Sequence, residues 1–227
     1  MNNNASNIIE FNIDALLRRN NALANQYRTS NLLMQLIRSQ SMAQRETRER
    51  LLDCIQVFSD YFQKTVMLRY VLCDNSSFLE TTIEHLREEF AHNFSLNADR
   101  QHRLPAWDSI LEATAAWFSW KMLTLDQEEK TVLVHLVLET SANIFFQEAH
   151  TIMHKYGETD YFKIHSEADE KHEKMGRKLL MELSNDKYRN LFEVQLQGWD
   201  MLNTACNRIA LLTENNLYST KLESVAY

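Results

Sequence analysis

At 227 residues the chain is long enough for one helical domain with a sizeable core. Three glycines and one proline are too few for a fold built on tight turns, which excludes a sheet of hairpins and argues for long helices on short loops. A net charge of −7 with no basic block excludes a nucleic-acid surface, and no apolar run approaches the ~20 residues that span a bilayer.

The Asn-rich stretch 1–9 lacks a charged-then-apolar leader and reads as a disordered end. Apolar residues at three- and four-residue steps predict about eight helices in one domain spanning 10–213, followed by a polar tail at 214–227. The helices fall at 10–26, 30–42, 45–73, 77–97, 105–122, 127–156, 159–183 and 186–213. Ser77 with Glu80 has capping-box spacing, and Pro105 suits the first turn of a helix. Gly157 suits a left-handed stop before the next helix begins at Thr159 or Asp160. Cys54, Cys73 and Cys206 are odd in number, far apart and without a CxxC pair, so they read as buried free thiols in a cytoplasmic protein. Trp107, Trp117, Trp120 and Trp199 read as core.

On the helix at 77–97, Glu80, Glu84, Arg87 and Glu88 share the wet arc. Glu89 and His92 fall on the opposite arc with Phe78, Thr82, Leu86 and Leu96. A Glu-x-x-His spacing on one face is that of the carboxylate di-metal bundles. His85, one turn earlier, reads either as a hydrogen-bond partner behind a ligand or as a surface histidine. On the helix at 127–156, Glu139 sits within an apolar stripe with His135, Ala142, Phe146, Ala149 and Met153, and a buried Glu is rare unless paired or metal-bound.

The segment YFKIHSEADEKHEKMGRKLLMEL, Tyr161 to Leu183, is the most informative. Tyr161, Ile164, Ala168, Met175, Leu179 and Leu180 define its buried side at about 100° per residue. His165 and His172 fall in the middle of that stripe, with Asp169 at its margin. Burying an unpaired carboxylate there costs several kcal/mol or more, roughly. A metal ion offsets that cost; a pair of satisfied core histidines held by one aspartate is the plainer alternative. Glu89, His92, Glu139, His165, Asp169 and His172 together suit two iron ions, or an iron and manganese pair, better than a closed thiolate-rich structural zinc site.

HSEADEKH, EEFAHN and LVLET together resemble the haem-oxygenase-like di-metal oxidases, the group that includes the chlamydial protein associating with death domains. The resemblance implies an all-α, haem-oxygenase-like helical bundle, with those six residues as metal ligands. His102 ranks behind His92, and Asp53 and Asp60 stand outside the set. It implies an enzyme that activates O2 with electrons from an external donor. The oxidised group would be a small organic substrate (an amino acid, amine or fatty acid) or the enzyme's own tyrosine, with Tyr161 and Tyr27 as the redox candidates. A homodimer is left open. The competing readings are a TenA-like or PqqC-like metal-free enzyme, which would need a nucleophilic Cys or a basic pocket, and a helical interaction module. A ferritin-like bundle would repeat its Glu-x-x-His motif, and one copy is present.

Overall fold

The computed structural model describes residues 11–157, 160–167 and 175–215, among which every regular element is a helix. In order these are α1 (Ile13–Ser30), α2 (Leu32–Arg38), α3 (Arg45–Val71), α4 (Ser76–Glu89), α5 (His92–Asp99), α6 (Ser109–Thr124) and α7 (Gln127–Thr131). The last of these runs through a π-helical segment (Val132–Glu139) directly into α8 (Thr140–Tyr156), followed by α9 (Asp160–Glu167) and α10 (Asn185–Asn215). Helix α3 packs on α4 and α6, and α10 closes the bundle against α3, α6 and the π segment. The all-helical expectation holds. Residues 1–9 and most of the polar tail lie outside the described residues, and α10 continues past 213 to Asn215.

Several boundaries differ from the sequence expectation, and at α4 and α6 a capping side chain decides the start. The segment 30–42 divides into α2 and a 3-10 turn, Gln40–Ala43. Asn75 caps α4 by accepting from Ser77 N at 3.0 Å, so Ser77 lies inside the first turn rather than at the cap. Pro105 precedes its helix: Asp108 caps α6 by accepting from the Ile110 and Leu111 amides at 3.1 and 2.9 Å. Gly157 takes φ +127 at the end of α8, a conformation that favours glycine. Beyond α9 the described chain resumes at Met175 and makes a 3-10 turn at Arg177–Leu180, with Glu182 at φ 61, so the helix expected to 183 ends short. Ile164, expected inside, is exposed, and Phe162 beside it is buried instead. Trp199 is fully buried, but Trp107 and Trp120 are exposed and do not belong to the core.

The expected helix 77–97 is broken where it matters most. Phe90 is extended and Ala91 takes φ 72, so α4 ends at Glu89 and α5 starts at His92. The Ala91 amide donates to Gln63 Oε1 of α3 at 2.7 Å instead of continuing the helical ladder. A tertiary hydrogen bond thus supplies the partner that a helix would have used.

Asp108 links α6 to α10, with Arg208 donating to both its carboxylate oxygens at 3.0 and 2.6 Å. Arg208 holds the Asp108 carboxyl below the usual carboxylate range, assisted by the two capping amides. A depressed folded pKa stabilises the protein above the unfolded value, and the contribution fades as pH falls through the folded one. Asp108→Ala is expected to cost ~1–2 kcal/mol at neutral pH, the size of a lost cap plus part of an ion pair. Urea denaturation checks this: wild type and variant should converge in acid, and an equal gap at both pH values would contradict the assignment.

Candidate metal centre

Three segments converge on one buried carboxylate. Glu89 closes α4 on a stripe of buried residues with Phe78, Thr82 and His85, spaced four, three and four apart. The break after Glu89 swings His92 back toward it, and His92 Nδ1 donates to Glu89 Oε2 at 3.1 Å. From α9, His165 Nε2 lies 3.9 Å from the same oxygen, and its ring stands 4.7 Å from that of His92. His165 Nδ1 donates to the Tyr161 carbonyl at 2.8 Å, so its proton is committed there and the Nε2 lone pair faces Glu89. Burial lowers the His165 pKa, which keeps that lone pair available. Phe146 stacks on its ring at 4.3 Å and Tyr161 packs at 4.3 Å, fixing the imidazole's direction.

A second group also includes Glu89. Fully buried His85 donates from Nε2 to Glu139 Oε1 at 2.8 Å. Glu139 closes the π-helical segment, all of whose residues are buried. Such i→i+5 stretches are uncommon and concentrate at functional sites. Two triads, Glu89–His92–His165 and His85–Glu89–Glu139, each offer ligand atoms lying within 4.8 Å of one another, and Glu89 belongs to both.

Behind them lies a residue that the sequence reading passed over. Arg69 of α3 is 1 % exposed. Its Nη1 donates to His135 Nε2 at 2.8 Å and lies 3.5 Å from His85 Nδ1, while Nη2 donates to Thr131 Oγ1 at 3.4 Å. Burial lowers its pKa to about 10, which leaves it cationic at neutral pH within electrostatic reach of Glu139. His135 is therefore turned toward Arg69 and stands behind His85, its ring 5.1 Å away. Gly176 makes room for it: a Cβ there would come within 2.8 Å of His135 Cδ2 and 2.9 Å of Thr131 Cγ2.

The structure thus brings together Glu89, His92, Glu139 and His165, and adds His85, which the spacing 78–82–85–89 could have indicated. Asp169 and His172 lie outside the described residues. His102 is exposed on the loop after α5, bonded to Asn97 at 3.0 Å, and is not part of either triad. Asp53 pairs with Arg100 and Arg103, and Asp60 accepts from Gln56 and Asn93, so neither belongs.

Part of each triad lines a cavity of about 90 Å³. Glu89, Glu139 and His165 face it, and the remaining lining is largely apolar, with Leu33, Ile55, Phe58, Leu138 and Phe145 prominent. Tyr161 and Tyr27 both line it, and both phenols are kept neutral by burial. Cys206, one of the buried free thiols, lines it too. Burial pushes its thiol up to about 12, unlike an activated nucleophile.

The helical architecture is that of the haem-oxygenase-like fold. The crystal structure of a domain of unknown function with that fold, from Shewanella denitrificans OS217, superposes with a TM-score of 0.70. It covers 92% of this chain and 95% of that one at 14% identity, a likeness of fold alone. No protein-family model matches the chain. An uncharacterized protein of Rickettsia prowazekii (strain Madrid E) is 34% identical over 201 residues, 88% of this chain and 96% of that protein. The chain belongs to the family of that rickettsial protein. No helix among the described residues is long and apolar enough to cross a membrane.

Proposed function

We propose that the chain is a non-haem di-metal oxidase or oxygenase of the cytoplasm. It would use two iron ions, or an iron and manganese pair, with O2 and an external electron donor, to oxidise a small organic substrate or its own tyrosine. The observation that carries this reading is a single buried carboxylate, Glu89, common to two triads that open on an apolar cavity. The donors fit: imidazole nitrogens and carboxylate oxygens without a thiolate suit iron or manganese. Glu89, His92 and His165 would hold one ion, and His85, Glu89 and Glu139 the other. Asp169 and His172, from the sequence pattern, would complete the set.

When bound, the metal pair supplies the electrons and open positions that dioxygen chemistry requires. The chain's own residues do the rest. The Tyr161 carbonyl holds the His165 proton away from the centre, and Phe146 holds its ring. Arg69 offsets the charge of Glu139 from behind His85. The aromatic and aliphatic walls exclude water from the substrate. Tyr161 donates its hydroxyl proton to Ser59 Oγ at 3.3 Å, at the cavity edge. An amino acid, amine or fatty acid is the substrate class that the family resemblance suggests.

Anaerobic loading with Fe(II) followed by oxygen-electrode measurement tests the reading. Loaded wild type is expected to consume O2, and His165→Ala to fall to background with its helical circular dichroism retained. No consumption by loaded wild type, or equal consumption by the variant, would overturn it.

A further inference from the structure

Tyr27 of α1 and Cys206 of α10 meet within the cavity that holds Glu89, Glu139 and His165. The Tyr27 hydroxyl lies 3.8 Å from Cys206 Sγ, and the two residues are 2 % and 6 % exposed. A buried phenol normally finds an oxygen or nitrogen partner. Among the described residues this hydroxyl has the thiol instead, a weak donor and a weak acceptor. Trp199 packs on the Tyr27 ring at 5.9 Å, holding the phenol against the sulfur. Among the described residues Tyr27 is the hydrogen-bond partner of the Cys206 thiol, and burial raises that thiol's pKa. Two easily oxidised side chains, both uncharged and in contact, share a dry space with the candidate metal centre. One-electron chemistry is what such a pair can do.

We propose that Tyr27 and Cys206 become joined by a thioether, Cys206 Sγ bonding to the ring carbon ortho to the Tyr27 hydroxyl, when dioxygen reacts in this cavity. The inference rests on the oxidase reading above. The S–H bond and the ortho C–H bond break and one C–S bond forms. The two electrons and two protons released reduce one O2 to hydrogen peroxide, so dioxygen is the whole oxidant. The phenol hydroxyl survives the reaction. The product ties α1 to α10 across 179 residues of sequence and fixes one wall of the cavity.

The experiment uses the full chain, reduced, loaded anaerobically with Fe(II) and exposed to air. Metal content and O2 uptake are measured on the same sample. The expected product is lighter by two hydrogens in intact-mass analysis. It should also show a drop from three alkylatable thiols to two after denaturation and reduction. Peptides containing Tyr27 and Cys206 should be recovered as one linked species that reductant does not separate. Tyr27→Phe and Cys206→Ser should each load metal and keep an unchanged mass. Wild type that binds metal and consumes O2 yet keeps all its thiols and its mass overturns the link and leaves the oxidase reading standing. Gain of an oxygen atom on Cys206 in place of the link overturns it equally. A chain that takes up no metal overturns the oxidase reading, and the link with it.

Discussion

Glu89→Ala is expected to abolish binding of both metal ions at once. Glu89 belongs to both groups, so one substitution removes a ligand from each triad. His92→Ala and His85→Ala each touch one triad and should lower stoichiometry from two ions toward one. The loss at Glu89 should exceed the ~10–100-fold effect of deleting a hydrogen-bond partner behind a ligand, because here the donor atom itself goes. Metal analysis after equilibrium dialysis distinguishes the cases. An alanine variant at Glu89 that retains one tightly held ion would show that the two groups are independent.

Arg69→Met is expected to produce the largest change in stability. The guanidinium is fully enclosed and lies against His85 and His135. Removing one member of a buried charged group costs ~3–5 kcal/mol, because the partners remain buried without compensation. In the metal-free protein the whole of that cost should appear. With Mn(II) bound, the ions themselves neutralise the carboxylates and the loss should shrink. Urea denaturation with and without Mn(II) measures both. An equal loss in the two states would mean that Arg69 acts by packing and not by charge.

Much of this site is legible in the sequence because helical periodicity places Glu139 and His165 directly on buried stripes. Glu89 was also legible, since Glu88 beside it falls on the wet arc. His92 arrives at the site by a route that periodicity does not contain: the left-handed Ala91 depends on Gln63, nearly thirty positions away in α3. His85 was readable from its stripe, but a histidine one turn from a stronger candidate gives no sign of which way its ring turns. Arg69 was invisible, one cation among 24 lysines and arginines on a long helix, and its burial is decided by partners on other helices. The π-helical segment leaves no local signature either. It reads as an ordinary apolar helix until His135 and Glu139 are seen facing α3 and α4. The meeting of Tyr27 with Cys206 follows from packing of the first helix on the last, which spacing within a helix cannot express.

Anomalous diffraction at the iron and manganese edges, from crystals of the loaded chain, is the most direct measurement. Two peaks are expected about 3.5–4 Å apart, one beside Glu89, His92 and His165 and the other beside His85, Glu89 and Glu139. A single peak, or peaks away from Glu89, would contradict a shared two-metal centre.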